Sequence, residues 1–223
     1  MQNTKRNADL RKISILAMLS ALAYVVMAVT RPLPPVVLFL KYDPKDVIIT
    51  IGGFLFGPLA AFVVTAVVAF VEMVTVSDTG FIGLAMNIIA GCAFACTASF
   101  LYRRRRTLPG AMIGLVAACL FTTAVMLLWN YLITPLYMHV PREKVAELLI
   151  PAFLPFNLLK GGLNAALTML LYKPVKAALQ ASRLLPPPEN PEPKRRVNLG
   201  VIVVSLFVLA TCVLLVLVLQ GRL

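Results

Sequence analysis

Four polar side chains stand in stretches that are otherwise apolar: Asn130, and then Asn157, Lys160 and Asn164 in the run opened by Pro155-Phe156. Spacings of three and then four residues put Asn157, Lys160 and Asn164 on one face of a helix. An amide both donates and accepts, whereas an ammonium only donates. Such a set suits a ligand that is apolar across its faces and polar along one edge. In hydrocarbon each of these groups needs a partner, so a binding role is the default hypothesis. The competing reading for the asparagines is interhelical hydrogen bonding, and Asn164 fits it better than the site. For Lys160 it is snorkelling to the interface, a long reach from roughly 10 Å below the outer boundary at about 1.5 Å per residue. Asn87 is a further candidate, near the outer end of its own segment.

The elements that hold these residues are membrane helices. Hydrophobic residues make up 60% of the chain and the mean hydropathy is +0.90. Apolar segments cover residues 13–29, 47–56, 59–76, 81–101, 111–134, 153–172 and 199–219. Most match a hydrocarbon core of about 30 Å. The second is too short to cross alone, so a half-depth helix is expected, turning at Gly57-Pro58 near the cytoplasmic side. These segments predict an all-α integral membrane protein, a six-helix bundle with one additional C-terminal transmembrane helix.

Charge predicts the orientation. The N-terminal tail, residues 101–109 and residues 173–198 together carry fourteen Lys and Arg against three acids, 14 − 3 = +11. The opposite side carries seven against six, 7 − 6 = +1, and the two sum to the net +12. By the positive-inside rule the N-terminus is cytoplasmic and the chain sits in the cell membrane. The basic groups abut helix ends, which favours anionic lipid over nucleic acid as their partner. The first apolar run continues to Val29, longer than the core of a cleaved signal peptide. Cys92, Cys96, Cys119 and Cys212 lie in apolar segments and the one histidine, His139, lies in an outer loop, so no metal site is expected. No phosphate-binding glycine loop is present. Within the spans the ionisable residues are Glu72 and Lys160, which fits poorly with a self-sufficient proton-coupled carrier.

The chain divides into a six-helix substrate-binding body over residues 1–183, a Pro-rich basic cytoplasmic linker over 184–198, and an extra helix within 199–223. That last helix, nearly all Val and Leu, reads as a lipid-exposed appendage kept off the body by a stiff spacer. The first outer loop, residues 31–46, is rich in proline and apolar at its centre. A turn at Asp43-Pro44 would aim Leu38, Leu40 and Tyr42 back over the bundle as a lid, with Asp46 capping the next helix.

The order Leu40-Lys41-Tyr42-Asp43-Pro44-Lys45-Asp46, Gly53-Phe54-Leu55-Phe56-Gly57-Pro58, Gly83-Leu84-Ala85-Met86-Asn87, Asn130-Tyr131 and Pro155-Phe156-Asn157-Leu158-Leu159-Lys160-Gly161 resembles the riboflavin-specific substrate-capture (S) components of energy-coupling factor transporters. The resemblance covers about residues 10–180; the seventh span departs from it. It implies a riboflavin-binding module with no enzymatic activity and no resident cofactor. Asn130, Asn157 and Lys160 would meet the polar edge of the isoalloxazine ring, Leu38, Leu40 and Tyr42 would close over it, and Asp43 and Asn87 would complete the site. It also implies partners, a membrane coupling subunit and two ATPase subunits. Docking would use a small-residue face on the first helix, here Ala17 and Ala21. The alternatives are an S component for another small vitamin or precursor, a stand-alone small-molecule carrier, and an assembly protein whose polar residues only pin helices together.

Overall fold

In hydrocarbon a backbone satisfies its N–H and C=O groups within its own segment, so each apolar run closes into a helix. The computed structural model of the chain describes residues 2–38, 40–77, 79–185 and 199–219. Helix α1 spans Gln2–Thr30, α2 Lys45–Phe56, α3 Pro58–Thr75, α4 Gly80–Gly91 and α5 Thr97–Arg104. They are followed by α6 Leu108–Met138, α7 Arg142–Leu148, α8 Leu154–Ala181 and α9 Leu199–Leu219. The π-helical turn Cys92–Cys96 joins α4 to α5 in one span, and a second, Leu149–Phe153, joins α7 to α8. Among the described residues six spans are long and apolar enough to cross a membrane, and α2 is not one of them.

Local chemistry sets the ends. Gly57 closes α2 at φ 96°, a conformation that disfavours any residue with a Cβ, and Pro58 starts α3 where its missing N–H costs nothing. The Thr107 hydroxyl accepts from the Gly110 backbone N–H at 3.2 Å and caps α6. That helix runs through Pro135 and stops at His139, a turn later than the apolar run alone indicates. Residues 142–148, expected as loop, form α7 and lead into α8.

The short helix α2 sits at the centre. Residues 45–54 are all buried, packed among α1, α3, α5 and α8. One apolar cluster joins Ile15, Leu19 and Ala23 of α1 to Ile48 and Ile49 of α2 and Val64 and Val68 of α3. A second gathers Phe54, Phe94 and Leu115. At its edge Tyr102 stacks on Phe54 at 4.4 Å, and the Tyr102 and Tyr172 hydroxyls lie 3.2 Å apart. The outer faces of the long helices expose large apolar side chains such as Leu59, Phe70 and Leu120, the surface a lipid environment covers.

Helix α9 corrects one expectation. Much of it is exposed, as a lipid-facing helix should be, yet one face lies along α8, burying Ser205 and Cys212. Cys212, Leu159 and Leu163 form a cluster against which Tyr42, Val208, Leu209 and Val216 pack. Gly162 of α8 faces this contact, and a Cβ there would meet the Cys212 Sγ at 3.4 Å, ordinary van der Waals contact. The expected spacer lies mostly in residues 186–198, outside the described residues. Before it, Leu184 and Leu185 pack on the first cluster, so the body extends two residues past the expected boundary at 183.

Candidate functional site

The N-terminal end of α2 carries the polar chemistry. Asp43 Oδ1 accepts from the Lys45 backbone N–H at 3.0 Å, whereas no side-chain cap is supplied at the N-cap position, Pro44. The expectation that Asp46 caps this helix is therefore corrected. Asp46 lies inside the first turn, 3% exposed, and its carboxylate turns toward the other helices. Oδ2 accepts from Lys160 Nζ at 3.4 Å and from Asn164 Nδ2 at 3.5 Å. Oδ1 would lie 3.4 Å from a Cβ on Gly91 of α4. One buried acid thus faces both α8 and α4.

The loop reaches the same point. The Tyr42 hydroxyl donates to Asn164 Oδ1 at 3.0 Å, so a continuous chain runs from Tyr42 through Asn164 and Asp46 to Lys160. Burial, reinforced by the Asp46 and Asp43 carboxylates, pushes the Tyr42 phenol far above its ordinary range and keeps it a donor. Beside this chain Lys45 Nζ pairs with Asp43 Oδ2 at 2.9 Å and with the Glu72 carboxylate of α3. The buried Lys45 and the half-buried Lys160 therefore each have an acid, as desolvation demands. Two cations against three acids leave 2 − 3 = −1 across the group.

The sequence-predicted residues divide into two sets. Lys160, Tyr42 and Asp43 join this network, and Asn164 bridges helices as its interhelical reading required. Asn130 and Asn157 are buried, but their amides bond along their own helices. Asn130 Nδ2 donates to Met126 O at 2.7 Å and its Oδ1 accepts from Thr134; Asn157 Nδ2 donates to Phe153 O at 2.8 Å. Asn87 is half-buried on α4. In the loop, Val36 N donates to Leu40 O and Leu40 N to Val37 O, both at 2.8 Å, making a tight turn. Leu38 sits at its apex with φ 50° and 56% exposed, so it points away from the bundle, contrary to expectation. Val36, which the sequence reading passed over, is the buried apolar residue of that turn. Ala17 and Ala21 lie on an exposed face of α1.

Asp46 and two α6 groups were also missed. Trp129 Nε1 and Thr122 Oγ1, seven residues apart, are buried without a hydrogen-bond partner, a costly state that a polar ligand atom would relieve. The signal for Asp46 was available: a lysine deep in an apolar helix requires a counter-ion, and few acids lie near the spans. A cavity of about 100 Å³ lies at the opposite end of α2, lined by Gly53 to Gly57 with Arg103 and Arg106, away from this network. No group of three or more His, Cys, Asp or Glu side chains able to hold a metal occurs among the described residues.

The chain is similar to known proteins over this body. The family model described as "ECF transporter, substrate-specific component" matches residues 11–172. The "Riboflavin transporter FmnP" of Bacillus subtilis (strain 168) is 28% identical over 182 residues, 78% of this chain and 96% of that protein. The "Riboflavin transporter RibU" of Staphylococcus aureus (strain TCH60) is 28% identical over 170 residues, 73% of this chain and 89% of that one. A solved structure described as "Structure and mechanism of the S component of a bacterial ECF transporter" is 28% identical, with a TM-score of 0.65, covering 81% of this chain and 99% of its own. Helix α9 lies beyond the family match.

Proposed function

The chain belongs to the family of substrate-specific components of ECF transporters, and on that premise we propose that it captures riboflavin as the substrate-binding subunit of an ECF-type importer. The observation that carries this is the match to relatives named as riboflavin transporters over 73–78% of the chain. The chemistry agrees. A flat ring with carbonyl acceptors and an imide N–H along one edge needs amides and a cation in a dry site. Asn130 and Asn157 supply amides, Lys160 the cation, and Trp129 Nε1 a further donor.

In this reading Tyr42 and Leu40, with Asp43 at the loop's root, belong to the part of the site that closes over the ligand, and Asn87 contributes from α4. The chain is a transport subunit and not an enzyme. Energy comes from a membrane coupling subunit with two ATPase subunits, and the exposed small-residue face at Ala17 and Ala21 is where the coupling subunit docks. The distribution of basic residues supports an N-terminus in the cytoplasm and a Tyr42 loop outside the cell membrane.

Titration of the purified full-length protein with riboflavin, followed by quenching of flavin fluorescence, tests the reading. Saturable quenching at one ligand per chain is expected. An absence of quenching alongside saturable binding of another vitamin would transfer the same site to that vitamin.

A further inference from the structure

We propose that Asp46 is the positioning residue of the ligand site, holding the Lys160 ammonium in place and linking it to the loop. Its carboxylate is buried, and one oxygen serves both Lys160 Nζ at 3.4 Å and Asn164 Nδ2 at 3.5 Å. Lys160 is the longest and most flexible of the polar side chains on its face, and its side chain retains 21% exposure. A flexible ammonium donates in a defined direction only when another group fixes it. Asp46 is suited to this because it sits on the buried stretch of α2, which is enclosed by α1, α3, α5 and α8. Lys45, whose side chain is buried, is already held by Asp43 and Glu72, so Asp46 is left to α8. Asn164, which accepts from the Tyr42 hydroxyl at 3.0 Å, makes the carboxylate the point where the loop and the ligand-reading lysine meet. Seating Tyr42 on Asn164 orients that amide toward Asp46, and the oriented carboxylate then fixes Lys160. The inference rests on Lys160 contacting the ligand, as proposed above.

A double-mutant cycle on the full-length protein separates positioning from mere support of the fold. Riboflavin affinity is measured for wild type, Asp46→Asn, Lys160→Met and the double variant. Asp46→Asn is expected to weaken binding about tenfold. In the Lys160→Met background the same change should cost less than about twofold, because the group it positions is gone. An equal factor in both backgrounds would overturn the proposal, showing Asp46 to act on the fold; so would unchanged affinity in Asp46→Asn. If Asp46→Asn does not yield monodisperse protein, Asp46→Glu keeps the charge and displaces it by about one bond. It should then bind more weakly than wild type, again with little effect once Lys160 is methionine, and additivity there overturns the proposal equally. Wild-type protein that fails to quench riboflavin would instead remove the ligand reading itself.

Discussion

Gly161 of α8 lies against Cys119 of α6 so closely that a Cβ at Gly161 would fall 3.0 Å from the Cys119 Cβ and 3.2 Å from its Cα. The Cys119 thiol sulfur lies closer still, so both the side chain and the backbone behind it crowd that space. The Cys119 thiol also points at the carbonyl of Leu158, 3.7 Å away, so this contact fixes the height of α8 on α6 one residue from Lys160. Gly161→Ala should therefore push the helices apart and carry Lys160 with them, at a cost of about 1–3 kcal/mol from overpacking. Riboflavin titration and thermal unfolding of the variant should both register it. Loss of stability with undiminished affinity would show that α8 moves without disturbing the ligand face.

Asn130→Ala removes an amide whose present partners are the Met126 carbonyl and the Thr134 hydroxyl on the same helix. Neither holds the amide across helices, so it is available to a ring edge. The variant should lose about 1–3 kcal/mol of riboflavin affinity while keeping its fold. Affinity equal to wild type, measured by fluorescence quenching, would assign Asn130 to the helix alone.

Tyr42→Phe tests the loop contact. It deletes the hydroxyl that donates to Asn164 Oδ1 and leaves a buried acceptor unpaired, while the ring keeps its packing on Leu159, Leu163 and Cys212. Release of bound riboflavin should accelerate by about tenfold, corresponding to roughly 1–1.5 kcal/mol. Stopped-flow displacement with excess unlabelled ligand reads this directly, and an unchanged release rate would separate the loop from the site.

Replacing Ala17 or Ala21 with leucine should leave riboflavin binding in detergent intact and abolish uptake by cells carrying the complete importer. Both residues are exposed on α1, and close helix approach in a membrane needs small side chains. Uptake that survives both replacements would place the docking face elsewhere.

Truncation after Leu185 removes α9 yet keeps Leu184 and Leu185 on the core cluster. The body matched by the family ends before α9, so it should fold and bind riboflavin. The cluster against which Tyr42 packs loses Cys212, so release should be faster than from the full chain. Identical release rates would make α9 an anchor and nothing more.

Hydropathy and local residue chemistry by themselves determined the membrane helices, the turn at Gly57-Pro58, and the shared face of Asn157, Lys160 and Asn164. Those features follow from backbone satisfaction in lipid and from the 3.6-residue period, both local rules. What Asp46 does could not be read locally. It lies 118 positions from Asn164, and a first-turn acid is equally consistent with a cap; enclosure of α2 by its neighbours turned the carboxylate to α8 instead. The direction of Leu38 was likewise decided by the hydrogen bonds between Val36, Val37 and Leu40, which close a turn that composition does not encode. Helix α9 reads as uniformly lipid-soluble because almost every side chain on it is apolar. Apolar residues pack as readily on a neighbouring helix as on lipid, so only the tertiary structure, which sets Cys212 against Leu159 and Leu163, decided that one face belongs to the body.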